Sequence, residues 1–128
     1  MSKHDPKATL RQMVDCMSRA QELCGQNDLP AILNDWHKRL AFERVMEILG
    51  EAVKRLPPDL CQRYPVVQWK LIAGMRDRVS HGYDGIDYGI LWNTVQDDLP
   101  GVAHTVAQIS GIWMPTKNCN FSTARFQS

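Results

Sequence analysis

We predict an all-α fold for this chain of 128 residues, an up-and-down bundle of four to five helices. Apolar residues recur at three- and four-residue spacing over most of the sequence, which is the pattern of amphipathic helices. Gly and Pro stand mostly between these stretches, and aromatic residues make up only 8% of the chain. The β-branched clusters that form strands are sparse, so a helical bundle fits the pattern better than a sheet.

The first half of the sequence predicts two helices. The first covers about residues 6–24, and its apolar stripe consists of Leu10, Met13, Val14, Met17, Ala20 and Cys24. Gly25 follows that stripe directly and is placed to cap the helix C-terminus. The second is one long helix over about residues 30–56, where a proline suits the first turn and the Pro57-Pro58 pair ends the helix. Its front side chains are offset from its main stripe and should face a different neighbour: Leu33, Trp36 and Leu40.

The second half predicts two further helices joined by a turn. A short segment over residues 59–64 leads to a third helix from Pro65 through Val79 or beyond, and a turn follows at residues 82–85. Asp87 can cap a fourth helix. The apolar stripe of that helix consists of Leu91, Val95, Leu99, Val102, Val106 and Ile109.

The fourth helix and the end of the chain carry two more expectations. Pro100 lies within the apolar stripe and should kink or break the helix near Leu99. Residues 1–112 then form one helical domain. Residues 113–128 have no apolar periodicity, and we expect a disordered or loosely packed tail there.

The composition is that of an ordinary globular protein, with no global charge to attract nucleic acid. The net charge is +1, so any RNA binding would depend on a local patch. The N-terminus lacks the apolar stretch of a signal peptide, and apolar runs are far shorter than the roughly 18 residues that span a bilayer. We therefore expect a cytoplasmic protein without a membrane partner.

Most of the remaining polar and aromatic residues predict structural roles. The cysteines form no CxxC pair, and His4, His37 and His104 share no ligand spacing, so we expect small packing cysteines, surface histidines and no metal or cofactor. We interpret three tryptophans as core or dimer-interface anchors: Trp36, Trp69 and Trp92. A set of charged residues on the second helix suggests a solvated, salt-bridged face: Lys38, Arg39, Glu43, Arg44, Glu47 and Glu51. Within this helix, Gly50 can permit close helix approach, and Glu51 can bond Arg76, a neighbouring chain or only water.

Residues 74–83 hold most of the chemically competent side chains. On a helix, Arg76, Ser80 and Tyr83 share one stripe, and Asp77 and His81 lie four apart on the adjacent stripe. His81 can move a proton near neutral pH, Arg76 can hold phosphate oxygens, and Asp77 can orient the imidazole. These groups suit cleavage of a phosphodiester without a metal, in which a two-fold dimer supplies both a base and an acid. Spacing alone favours a surface ion pair or a helix cap.

Three stretches together resemble the HepT group of the HEPN superfamily. Residues 72–83 contain Arg76-x4-His81-x-Tyr83, which resembles the family's Arg-x4-6-His-x-Tyr signature. Residues 41–52 are similar to its second-helix pattern ending in Gly-Glu-Ala, and residues 90–100 to its Trp-containing fourth helix with an Asp-Leu-Pro break. The resemblance covers about residues 5–112 in the right order.

The resemblance implies a dimerising HEPN fold and a metal-independent endoribonuclease, the toxin of a type II-like toxin–antitoxin system. Arg76 and His81 would be catalytic, Asp77 and Ser80 supporting, and the two motifs of a homodimer would share a cleft that binds RNA. The implied partner is a minimal nucleotidyltransferase antitoxin that attaches AMP to Tyr83. Two alternatives stay open: a non-catalytic accessory subunit that binds a nucleotidyltransferase and its substrate, and a plain dimerisation module.

Overall fold

The computed structural model describes residues 5–82 and 85–111, and every regular element within those ranges is helical. The elements are α1 (Pro6–Gln26), α2 (Leu29–Asn34), α3 (Trp36–Lys54), α4 (Pro58–Arg63), α5 (Trp69–Ser80), α6 (Tyr88–Asn93), a π-helical turn (Thr94–Asp98) and α7 (Leu99–Ser110). The prediction of an all-α helical bundle is confirmed. Tyr83 and the predicted tail at residues 113–128 lie outside the described residues.

Helix α3 is the central element of the bundle. It packs against α1, α2 and α5, while α7 packs against α1. The largest fully buried side chains come from every helix except α4: Phe42, Met13, Met17, Ile32, Met46, Leu49, Ile72, Met75, Leu91, Leu99 and Val106. Burial of each such side chain stabilises the fold by about 1.5–3 kcal/mol, so this core holds the helices in place.

The prediction of one long second helix is wrong, because the helix is interrupted at Asp35. This residue has φ −113° and ψ 107°, and its carboxylate accepts hydrogen bonds from the backbone N–H groups of His37 (3.0 Å) and Lys38 (3.3 Å). An Asp side chain that satisfies the free N–H groups of a helix start favours an N-cap over the helix interior. The break separates α2 from α3, and it explains why Leu33 did not fit the stripe of the following residues.

Two other predicted helix ends also differ. Helix α1 passes through Gly25 and ends at Gln26, where the side-chain Nδ2 of Asn27 donates to the carbonyl of Leu23 (2.9 Å). That bond replaces the predicted glycine cap. Helix α5 begins at Trp69 rather than at Pro65, and the residues between them are not helical.

The fourth predicted helix is confirmed, with the expected disturbance before Pro100. Asp87 caps α6, since its carboxylate accepts from the N–H of Ile90 (3.1 Å). The π-helical turn joins α6 to α7, and its wider bond runs from the N–H of Leu99 to the carbonyl of Thr94. Pro100 has no N–H to donate, so the i−4 bond is lost there and the wider turn takes its place. In the parts of the chain that the structure describes, no helix is long and apolar enough to cross a membrane.

Candidate active site

Helices α3 and α5 approach most closely at Gly50. A Cβ atom on this residue would lie 2.6 Å from the backbone nitrogen of Arg76 and 3.0 Å from the carbonyl oxygen of Ala73. Only glycine leaves room for the α5 backbone at this distance, so the expected role of Gly50 in close helix approach is confirmed. The contact brings the α3 side chains on either side of Gly50 next to the Arg76–His81 segment.

Arg76 is held on one edge by a carboxylate of α3. Its Nε lies 3.1 Å from Oε1 of Glu51, and its Nη1 lies 3.6 Å from Oδ1 of Asp77. Of the partners considered for Glu51, Arg76 is therefore the one the structure shows. The Arg76 side chain is 39% exposed, so the guanidinium remains accessible to a phosphate group in solution.

Asp77 lies between three basic groups. Its Oδ1 is 3.0 Å from Nζ of Lys54, 3.6 Å from Arg76 and 3.9 Å from Nδ1 of His81. The hydrogen bond from Lys54 is the main reason that the pKa of Asp77 lies below its ordinary value. The predicted contact between Asp77 and His81 is present as a loose ion pair, since 3.9 Å exceeds hydrogen-bond length. The His81 side chain is 60% exposed at the end of α5.

Ser80 bonds to α3 rather than to the imidazole. Its hydroxyl donates to Oε2 of Glu47 (2.8 Å), whose other oxygen is 3.2 Å from Nη1 of Arg44. These contacts hold the pKa of Glu47 below its usual range, the bond from Ser80 having the largest effect. Ser80 thus connects the last turn of α5 to α3.

Three glutamates spaced four apart on α3 form what we call the glutamate row: Glu43, Glu47 and Glu51. Each is half-buried and binds a side chain from another helix. The hydroxyl of Tyr88 donates to Glu43, and burial together with this bond raises the pKa of Tyr88. The predicted salt bridges are present for Glu47 with Arg44 and for Glu51 with Arg76, but the glutamates are only partly solvated. They face α5 and α6.

Lys54 and Tyr88 are the site residues that the sequence prediction missed. Lys54 lies three residues after Glu51 and seven after Glu47, so helical spacing alone places it on the same face. That signal was available. Tyr88 gave no such signal, because its partner Glu43 is 45 residues earlier in the chain.

The other predicted residues fall away from this site or outside the described ranges. Trp69 and Trp92 are partly buried against the core, whereas Trp36 is 58% exposed and stacks on His37. Cys16 and Cys24 are buried packing residues as predicted, and burial raises the pKa of the Cys24 thiol to about 12. Tyr83, His4 and Cys119 lie outside the described residues. Across residues 5–82 and 85–111, no group of three or more His, Cys, Asp or Glu residues could hold a metal ion.

The arrangement combines an accessible guanidinium, held by Glu51, and an accessible imidazole that lies near Asp77. A guanidinium binds a phosphate and stabilises the charge that builds on its oxygens. An imidazole transfers protons near neutral pH. The site described here contains one histidine, so it supplies one imidazole per chain.

Comparison with known proteins finds relatives that are all named as ribonucleases. The sequence model of a family described as "Ribonuclease HepT-like" matches residues 13–109. A Methanocaldococcus jannaschii protein named "Putative RNase" is 34% identical over 102 residues, which cover 80% of this chain and 88% of that protein. A second from the same organism with that name is 34% identical over 115 residues, covering 87% and 95%. A "Probable ribonuclease HepT" of Thermococcus cleftensis is 32% identical over 100 residues, covering 78% and 91%. No solved structure matches significantly.

Proposed function

The chain belongs to the HepT-like ribonuclease family, and on this basis we propose that it is a metal-independent endoribonuclease that acts in the cytoplasm as the toxin of a toxin–antitoxin pair. The observation that carries the activity is the position of Arg76 and His81. Both side chains are accessible on one surface, Arg76 paired with Glu51 at 3.1 Å and His81 with its Nδ1 3.9 Å from Asp77. They supply two of the groups that cleavage of RNA by its own 2′-hydroxyl uses, a base and a cation that binds the phosphate.

In the proposed reaction, His81 accepts the proton of a ribose 2′-hydroxyl. The 2′-oxygen then attacks the adjacent phosphorus, the bond from phosphorus to the 5′-oxygen breaks, and an acid donates a proton to that oxygen. Arg76 holds the non-bridging oxygens while negative charge builds on them. The products are a 2′,3′-cyclic phosphate and a free 5′-hydroxyl, and no metal takes part in any step.

The acid is proposed to come from a second copy of the chain, since one motif supplies one histidine. The exposed Trp36 and Leu40 support a surface for that copy. They lie on the same stripe of α3 as the glutamate row. Both are closer to the N-terminus of α3 than Glu47, the residue that contacts Ser80 at the end of α5. An exposed apolar patch on the same helix as the site can pair two copies so that both motifs face one cleft.

Control of this activity is proposed to act through Tyr83, by attachment of AMP from a nucleotidyltransferase antitoxin. Tyr83 follows His81 by two residues in the sequence. A phosphate attached there would add negative charge that pairs with Arg76 and would compete with the RNA phosphate. The test is incubation with the cognate nucleotidyltransferase and ATP. Wild type should gain the mass of AMP and lose activity, whereas Tyr83→Phe should gain no mass and stay active.

The activity itself is tested by RNA cleavage in EDTA with purified wild type and His81→Ala. Light scattering checks that both have the same oligomeric state. Cleavage by wild type and none by the folded variant would support the proposal. Equal activity of the two, or no cleavage by unmodified wild type, would favour an accessory subunit that binds a nucleotidyltransferase.

A further inference from the structure

Lys54 makes the shortest ion-pair contact around the candidate active site, although neither the Arg-x4-His pattern nor the proposed reaction uses it. Its Nζ is 3.0 Å from Oδ1 of Asp77, compared with 3.1 Å for Arg76 and Glu51 and 3.9 Å for His81 and Asp77. Lys54 reaches Asp77 from α3, across the interface where Gly50 brings the two helices together. Asp77 is therefore held more closely by Lys54 than by the histidine it was predicted to orient.

The charges around Arg76 balance only when Lys54 is counted. The groups in direct contact are two carboxylates, Glu51 and Asp77, and two permanent cations, Arg76 and Lys54. Glu47 also lies within electrostatic reach of Arg76, but it is balanced by its own partner Arg44. Without Lys54, the two carboxylates would outnumber the guanidinium, and the site would repel a phosphate whenever the imidazole is neutral. All of these side chains are partly exposed, so solvent weakens the effect without removing it.

We propose that Lys54 is a charge-balancing positioning residue of the ribonuclease site. It neutralises Asp77, so that this carboxylate lies between Arg76 and His81 without repelling the phosphate of the incoming RNA. This role rests on the proposed ribonuclease function and adds to it a residue outside the motif. Lys54 acts here through Asp77 and not by contact with the RNA.

The test measures binding of a 2′-O-methyl oligonucleotide, which cannot be cleaved, by fluorescence anisotropy at low salt. Lys54→Met should weaken binding about fivefold to tenfold, the effect of one unbalanced charge near the phosphate. Lys54→Arg keeps the charge and should bind within about twofold of wild type. The double variant Lys54→Met/Asp77→Asn removes the cation and the anion together, so its binding should return to within about twofold of wild type.

Lys70→Met provides the matched control. Lys70 is an exposed lysine of α5, seven residues before Asp77, so its loss changes the net charge equally. Circular dichroism melts check that every variant is folded, and cleavage of ordinary RNA by wild type is measured in the same buffer.

Each contrary result identifies what has failed. Equal loss in Lys54→Met and Lys70→Met would overturn the proposal in favour of a diffuse positive field. Binding by the double variant as weak as that of Lys54→Met would overturn it in favour of direct contact between Lys54 and RNA. Wild-type binding by Lys54→Met would overturn the Lys54 role alone. If wild type neither bound nor cleaved RNA, the proposed function would fail, and the Lys54 role would fail with it.

Discussion

Helix α3 has two faces with different roles. One face buries Phe42, Met46, Leu49 and Val53 in the hydrophobic core. The other carries the glutamate row and Lys54, and every one of these polar side chains contacts a group on α5 or α6. The first face stabilises the fold through apolar burial, and the second orients groups that remain accessible to solvent.

Within α3, the residues that stabilise the fold are thus different from those that orient the candidate site. Loss of a buried apolar side chain should destabilise the fold without any specific effect on chemistry. Loss of a polar side chain on the other face should change activity while the fold remains. Gly50 affects both stability and function, because it is buried and also sets the distance between α3 and the Arg76 backbone.

The largest expected effect is on stability, from Phe42→Ala. Phe42 is fully buried, so its loss should reduce the free energy of unfolding by about 3–5 kcal/mol. Urea denaturation followed by circular dichroism measures this change. A loss below about 1 kcal/mol would mean that this face of α3 does not hold the core together.

Gly50→Ala should have an intermediate effect that reaches both faces. The added methyl group meets the Arg76 backbone nitrogen at 2.6 Å, so the helices must separate, at a cost of about 1–3 kcal/mol. RNA cleavage should also fall, because Arg76 and Asp77 move away from their α3 partners. The matched control is Gly74→Ala on α5, where nothing lies within 4 Å of an added Cβ. That variant should match or exceed wild type in stability, since Ala favours the helix. A stable, fully active Gly50→Ala protein would contradict the close approach.

Glu51→Gln should reduce activity with little effect on stability. The neutral amide holds Nε of Arg76 less strongly, so we expect RNA cleavage to fall about tenfold, as for the loss of one charge-assisted contact. The melting temperature should change by no more than the small amount typical of exposed ion pairs. Cleavage rates and thermal melts on the same samples test both parts. A large loss of stability with unchanged specific activity would assign Glu51 to the fold instead.

The smallest expected effect is the contribution of Glu47 to the pH dependence of the free energy of unfolding. The bonds from Ser80 and Arg44 lower its pKa in the folded state, so the unfolded state binds more protons as pH falls. The stabilisation is complete above the ordinary Glu value of about 4.3 and is lost as pH falls through the lower folded pKa. Urea melts of wild type and Glu47→Gln from neutral to acid pH measure it. The difference between the two proteins should shrink on acidification, and a constant difference would contradict this role.

The apolar stripes and caps of the helices could be predicted from the sequence more fully than the polar contacts between helices. The stripe of α1 and the cap at Asp87 emerged from local spacing, because helical periodicity and N-capping are local properties. The break at Asp35 could not be predicted in this way, since an aspartate within a long helical pattern is equally typical of a surface residue. The cap only becomes clear from its own hydrogen bonds.

The candidate site shows the same limit. Arg76, Asp77 and His81 lie within one short segment, so their proximity followed from helix geometry. The contacts of Ser80 with Glu47 and of Lys54 with Asp77 join residues 33 and 23 positions apart. Such pairs depend on how α3 packs on α5, which the periodicity of either helix alone does not determine.

The most direct test of the central claim is analysis of the ends of RNA cleaved by the wild-type protein in EDTA. An imidazole base acting on the 2′-hydroxyl predicts 2′,3′-cyclic phosphate and 5′-hydroxyl ends, and no cleavage at a position with a 2′-deoxy sugar. Cleavage at that deoxy position, or 3′-hydroxyl ends with 5′-phosphates, would contradict a site in which His81 activates the RNA's own hydroxyl group.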